Sequence, residues 1–87
     1  MGIVTLRYWA AAKDAAGVAD EKVDASTLAE ALSAGLTAAG DQSGRLSQVL
    51  ARSSFLVNGE PAGKRPPESI TLADDAVVEV LPPFAGG

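Results

Sequence analysis

The chain has 87 residues, a formal net charge of −4, 47% hydrophobic and 21% charged residues, and neither cysteine nor histidine. This length and composition predict one small globular domain with a modest core, not a disordered segment. The missing cysteine and histidine exclude disulfides, thiolate chemistry, the usual zinc sites and nucleophiles paired with histidine. The acidic balance argues against nucleic acid as a partner and leaves a basic protein partner open.

The sequence also gives no sign of a membrane segment. No apolar run approaches the 18 or so residues that a spanning helix needs. The first residues lack the basic and then apolar order of a signal peptide. We therefore expect a cytoplasmic protein that has no membrane partner.

Residues 3–9 are β-branched and aromatic, which predicts a first strand. Because Arg7 needs water, Val4, Leu6 and Tyr8 should face the core. Trp9 is then exposed on the other face, unless the following loop covers it. Residues 10–18 are Ala-rich and are interpreted as a loop with room for a helical turn, and residues 21–25 as a short second strand with Val23 inward.

A capping-box pattern at Thr27 and Glu30 predicts the start of the main helix. Its apolar residues recur every three or four positions, which indicates one buried stripe. That stripe comprises Leu28, Ala31, Leu32, Leu36 and Ala39. Gly35 within the helix either allows close packing on a sheet or is a helix-weakening residue that the fold tolerates. Gly40 is a candidate for the C-terminal end of the helix. Residues 41–52 are ambiguous, although Leu46, Val49 and Leu50 weakly indicate a second helix.

The second half of the chain is predicted to be mostly extended. Residues 55–57 form a third strand, and Asn58-Gly59 is a strong signal for a two-residue hairpin. Pro61 places the returning strand at a sheet edge. Residues 63–68 form a loop and residues 70–72 are extended. The turn at Asp74-Asp75 leads into a last strand whose inward residues are Val78 and Val80.

This order of elements predicts an α+β fold of the β-grasp type. We expect a mixed sheet of four to five strands, with one main helix across one face and a protruding C-terminal tail. Residues 1–81 would form the domain and residues 82–87 a flexible tail. The first and last strands would lie parallel at the centre, so Trp9 and Leu81 would sit side by side at the root of the tail, and Phe84 would extend this patch as a docking surface.

The tail itself has an unusual composition. Pro82 and Pro83 fix φ and remove two backbone donors, so the sheet cannot continue and the chain stays extended. Gly86 and Gly87 carry no Cβ, so the tip fits a slot too narrow for other residues. The alternative is that the tail is an inert chain end.

Three stretches resemble the MoaD/ThiS family of sulfur carriers, which are β-grasp relatives of ubiquitin. They are the Ala-rich segment of residues 6–17, the hairpin of residues 57–60 and the ending of residues 81–87. The first segment is most similar to that of the small subunits of molybdopterin synthase. One departure is that Asp74-Asp75-Ala76 replaces the family's usual Asp-Gly-Asp, which puts the turn type in doubt.

The resemblance implies that the chain is not catalytic alone and binds no cofactor or metal. A ubiquitin-activating-type enzyme would use ATP to adenylate Gly87, and a sulfur relay protein would convert it to a thiocarboxylate. The sulfur would pass to a cyclic pyranopterin monophosphate inside the large subunit of molybdopterin synthase. Docking would involve Trp9, Leu81, Pro82, Pro83 and Phe84, and the tip would thread through Ala85 and Gly86.

Three alternatives remain open at this stage. The chain could carry sulfur for thiamin thiazole, cysteine or tRNA thiolation by the same chemistry. It could instead be a ubiquitin-like modifier that is joined through Gly87 to lysines of target proteins. It could finally be a plain interaction domain with an inert tail.

Overall fold

The computed structural model describes residues 2–40 and 44–83, which contain five strands and three helices. In chain order they are β1 (Ile3–Tyr8), α1 (Ala10–Ala16), β2 (Asp20–Asp24), α2 (Leu28–Ala39), α3 (Arg45–Arg52), β3 (Ser54–Val57), β4 (Glu60–Pro61), a 3-10 turn (Pro67–Ser69) and β5 (Val77–Leu81). None of the described helices is long and apolar enough to cross a membrane.

The five strands form one mixed sheet in the order β2-β1-β5-β3-β4. The central pair β1 and β5 is parallel, and the other neighbours are antiparallel. Two antiparallel pairs, β1–β2 and β3–β4, therefore flank the last strand. Helix α1 connects β1 to β2, and α2 and α3 lie between the two pairs in sequence. This is the predicted β-grasp arrangement, and β5 occupies the centre of the sheet.

The core lies on the face of the sheet that the alternation predicts. Val4 and Leu6 are fully buried and Tyr8 is 2% exposed. Their neighbours on β5, Val78 and Val80, are also fully buried. The period of two along both central strands thus separates a dry face from a face that remains open.

Helix α2 begins with the predicted cap. The Thr27 Oγ1 accepts a hydrogen bond from the Glu30 N–H at 3.2 Å, and the Glu30 carboxylate accepts one from the Ser26 N–H at 2.8 Å. The helix ends at Gly40, which adopts a left-handed φ of 61°. Its buried residues are Leu28, Ala31 and Gly35, and its partly buried apolar residues include Leu32, Leu36 and Ala39.

Gly35 is required by close packing, which decides between the two explanations of this residue. A Cβ built there would lie 2.5 Å from the Tyr8 hydroxyl oxygen and 2.8 Å from the Leu6 Cδ1. Both distances are far below an ordinary van der Waals contact. The missing side chain therefore lets α2 approach β1.

The Tyr8 hydroxyl lies under α2 and donates a hydrogen bond to the Glu21 Oε1 at 2.8 Å. Burial, this hydrogen bond and the negative charge of Glu21 raise the pKa of Tyr8 well above its ordinary value of 10.0. The neutral phenol thus joins β1 to β2 on the covered face.

Two segments have more regular structure than the sequence indicates. Residues 10–18 are interpreted from sequence as a loop with room for a helical turn, and Ala10–Ala16 form the helix α1, which ends where the Gly17 N–H donates to the Lys13 carbonyl at 2.9 Å. No side chain caps the start of this helix, so the sequence does not indicate its full length. The weakly indicated helix within residues 41–52 is present as α3, which buries Leu46 and Leu50. Residues 41–43 lie outside the described residues.

The two predicted turns have the expected positions. Asn58 and Gly59 have φ values of 51° and 84°, as a type I′ hairpin requires, and Pro61 lies on the edge strand β4. Asp75, which stands where the resembled family usually has glycine, adopts a left-handed φ of 65°. The Asp75 N–H donates to the Ile3 carbonyl at 2.8 Å, which ties this turn to the start of β1.

We predict that Gly35→Ala destabilises the fold although alanine is the better helix former. Overpacking against Tyr8 and Leu6 should exceed the propensity gain of about 1 kcal/mol and give a net loss of about 1–2 kcal/mol. Urea unfolding followed by circular dichroism measures this change. Ser33→Ala, at an exposed site of the same helix, is the control and should change stability by about 0.5 kcal/mol or less. A stabilised Gly35→Ala protein would contradict the packing argument.

We also predict that stability falls as the pH rises above about 10. Because the folded-state pKa of Tyr8 is raised, the folded chain keeps a proton that the unfolded chain loses in this range. The contribution is complete below the ordinary pKa and is lost above it. Tyr8 is the only tyrosine, so ultraviolet titration of tyrosinate reports this group alone. Tyr8→Phe should flatten the alkaline slope of the unfolding free energy, and an unchanged slope would refute the assignment.

Candidate docking site at the root of the C-terminal tail

The parallel pairing of β1 and β5 brings their C-terminal ends to the same edge of the sheet. Tyr8 lies opposite Val80, and the Trp9 N–H donates to the Val80 carbonyl at 3.3 Å. The next residues, Trp9 and Leu81, therefore lie beside each other where the two strands end. This is the predicted juxtaposition at the root of the tail.

Trp9 remains on the surface, with 47% of its area exposed. Its indole Nε1 donates to the Glu79 Oε1 at 3.1 Å. Its carbonyl accepts hydrogen bonds from the N–H groups of Ala12 and Lys13, which belong to the first turn of α1. The alternative that the following loop covers Trp9 is thus wrong, because α1 buries Ala12 instead and leaves the indole accessible.

The first residue of α1, directly after Trp9, has a left-handed backbone conformation. Ala10 has a φ of 48°, which is unfavourable for a residue with a Cβ. The hydrogen bonds on both sides of Trp9 hold this conformation. Unfavourable backbone conformations of this kind collect at functional sites, and here the kink sends the chain into α1 directly after the tryptophan.

The start of the tail is only partly covered. Leu81 pairs with Ser54 of β3 and is half-buried, as is Pro82, while Pro83 is exposed. Neither proline belongs to a strand or helix. Phe84, Ala85, Gly86 and Gly87 lie outside the described residues. Their roles in docking, threading and carrying the reacting carboxylate, like the docking roles of Trp9, Leu81, Pro82 and Pro83, stay predictions.

The face of the sheet opposite the core, here called the open face, leads up to this root. Strand register places on it residues of all five strands. They are Ile3, Thr5, Arg7, Asp20, Lys22, Asp24, Ser54, Leu56, Pro61, Val77, Glu79 and Leu81. Ile3 is 48% exposed and Trp9 nearly the same, so large apolar groups face solvent among charged ones. A mixed apolar and charged surface of this kind suits a protein partner.

The described residues offer little chemistry of their own. Within residues 2–40 and 44–83, no three acidic side chains come together in a group that could hold a metal ion. The one strongly shifted pKa reported above belongs to Tyr8, which lies on the core face and not at the tail root. Among the described residues, the root of the tail therefore offers a surface.

Sequence reasoning missed the contact between Trp9 and Glu79. The signal that could have found it is the strand register, because Arg7 pairs with Glu79 and Trp9 lies one step further on the same face. An exposed indole N–H commonly takes a nearby acceptor. The contact orients the ring along β5.

The sheet order, the helix packed on one face and the free strand ends at the tail root define a ubiquitin-like β-grasp protein. The chain belongs to the ThiS family, whose model matches residues 6–87. This match spans both the Ala-rich segment and the glycine ending. No curated protein sequence matches the chain significantly.

Solved structures confirm the fold at low sequence identity. SAMP1, a small archaeal modifier protein of Haloferax volcanii, is 24% identical with a TM-score of 0.80, covering 99% of this chain and 100% of its own. A putative molybdopterin converting factor subunit 1 of Pyrococcus furiosus is 19% identical with a TM-score of 0.75, covering 97% and 100%. A complex of subunits 1 and 2 of the molybdopterin-converting factor of Helicobacter pylori matches with 22% identity and a TM-score of 0.63, covering 98% and 99%.

We predict that Trp9→Lys changes stability by only about 1 kcal/mol or less, since half of the indole is already in water. The adjacent buried residue provides the matched control, because Tyr8→Ala should cost about 3–5 kcal/mol. Denaturant unfolding of both variants measures the difference. A loss of several kcal/mol from Trp9→Lys would show that the tryptophan belongs to the core and not to a docking surface.

Proposed function

We propose that this chain is a sulfur carrier that serves as the small subunit of a molybdopterin synthase. The observation that carries the proposal is the ThiS family match, which extends to Gly87. The position of Trp9 beside Leu81 adds support, since it gives a partner a surface next to the end that would react.

The proposed reaction begins at the Gly87 carboxylate, which is a poor electrophile. An adenylating partner of the ubiquitin-activating type joins this carboxylate to AMP with release of pyrophosphate from ATP. A persulfide of a relay protein then attacks the acyl carbon and displaces AMP. A thiol of that protein cleaves the sulfur–sulfur bond and leaves a thiocarboxylate on Gly87.

The thiocarboxylate next donates its sulfur to a cyclic pyranopterin monophosphate, and water restores the Gly87 carboxylate. Gly86 and Ala85 allow the end to enter the narrow channel of a larger catalytic subunit. Trp9, Leu81, Pro82, Pro83 and Phe84 hold the body of the carrier at the entrance. The structure of the Helicobacter pylori complex of subunits 1 and 2 supports a large subunit of this type as the partner.

The charge of the chain fits a division of tasks. With a net charge of −4, this chain is poorly suited to hold the phosphate of the pterin. Arginine and lysine of the large subunit would bind it. We propose that the carrier binds no cofactor itself and that ATP is bound by the activating partner.

A second candidate function is a ubiquitin-like protein modifier. The similarity to SAMP1 of Haloferax volcanii over the whole of both chains favours it. A carrier for thiazole, cysteine or tRNA thiolation is a third, because the family match does not separate these pathways. All of them start from the activated Gly87 carboxylate.

Mass spectrometry of the protein purified from its own cells separates these functions. Replacement of one terminal oxygen by sulfur supports a carrier, whereas a lysine-linked target peptide supports the modifier. Co-purification with a larger pterin-binding subunit selects molybdopterin synthesis among the carriers. An unmodified terminus under conditions of active cofactor synthesis would argue against all three.

We predict that deletion of Gly87 abolishes sulfur transfer to the pterin and leaves the unfolding free energy unchanged, because the end lies beyond the core strands. The assay is molybdenum cofactor formation with purified activating, relay and large-subunit partners. Ser33→Ala, at an exposed site of α2, is a control that should retain full transfer. Normal cofactor formation by the truncated chain would overturn the assignment.

A further inference from the structure

The positive charges of this acidic chain are concentrated in one stretch. Residues 45–65 hold four of the seven cations, and Glu60 is their only acidic residue. This stretch has a net charge of +3, so the rest of the chain carries −7. The net charge of −4 therefore conceals a basic region, which consists of α3, β3, β4 and the loop after β4.

A pocket of about 490 Å³ lies in this region, at the end of the sheet where β4 stops. Its apolar lining includes Leu28, Phe55 and Pro67, and its charged side chains are Lys64 and Arg65. The Arg65 Nε donates to the Ala62 carbonyl at 3.1 Å, which holds the guanidinium stem against the loop. This bond uses one of the five N–H donors of the group.

The pocket adjoins the docking site at the root of the tail. Ser54 lines the pocket and is the register partner of Leu81, the last residue of β5. A partner that covers Leu81 therefore comes within one strand spacing, about 5 Å, of the pocket. The two surfaces can be engaged by a single protein.

We propose that this pocket binds an acidic segment of a partner protein, with its apolar side chains on Phe55 and Pro67 and its carboxylates at Lys64 and Arg65. The combination of cations and an apolar lining fits such a segment better than a nucleic acid, which would need many more phosphate contacts than two cations provide. The binding depends on charge and shape and does not require the sulfur chemistry of Gly87.

The test adds a blocked peptide of alternating glutamate and leucine to the isotope-labelled full-length chain. The amide chemical shifts of the chain are measured at low and at high salt. Shifts should concentrate at residues 54–56 and 62–65 and weaken as salt screens the charges. A peptide of alternating lysine and leucine should not produce them. Shifts confined to the open-face residues of β1, β2 and β5 would overturn the proposal.

Charge reversal provides the matched comparison. Lys64→Glu should raise the peptide Kd by about fivefold to tenfold, whereas Lys22→Glu, the same change on β2 at the opposite edge of the sheet, should change it by less than about twofold. Lys64→Gln should give an intermediate peptide Kd, and it replaces Lys64→Glu in the comparison if that variant fails to fold. Equal effects of the two reversals, or tighter binding of a uridine oligonucleotide than of the acidic peptide, would contradict the assignment.

Discussion

The parallel pairing of β1 with β5 is the constraint on which the rest of the molecule depends. It joins residues more than 70 positions apart, with the Thr5 N–H donating to the Ala76 carbonyl at 2.9 Å at one end and the Trp9 N–H to Val80 at the other. Antiparallel neighbours would send these strand ends to opposite edges. Because the pair is parallel, the only tryptophan and the start of the tail meet, and the two hairpins protect the central strands on both sides.

A second constraint keeps the meeting point accessible. The chain must leave β1 without covering Trp9, and it does so through the left-handed Ala10 and a short helix that contributes a small side chain, Ala12, to the core. The hydrogen bond to Glu79 orients the ring along β5.

The sequence was sufficient where one local rule decides the structure. Alternation along β1 and β5, the Thr27 cap and the Asn58-Gly59 turn each depend on a few neighbouring residues, and all are present. It failed where tertiary contacts decide. Helix α1 has no capping side chain, so it exists through its packing, and Gly35 could be explained only once Tyr8 and Leu6 were placed beneath it. The pocket beside Lys64 could not be predicted either, since composition gives the net charge and not the positions of the charges.

Reactive groups are few among the described residues. The sequence has neither cysteine nor histidine, and the one strongly shifted pKa among the described residues belongs to Tyr8, a buried tyrosine under α2. Two surfaces of different character adjoin the root of the tail. One is the open face, with apolar and charged groups, and the other is the basic pocket of this acidic chain. Under the proposed function, several partners act in succession on Gly87, and each must recognise the chain and then release it. Specificity between such partners is set by differences among modest contacts, and a charged pocket beside a shared apolar patch provides such a difference.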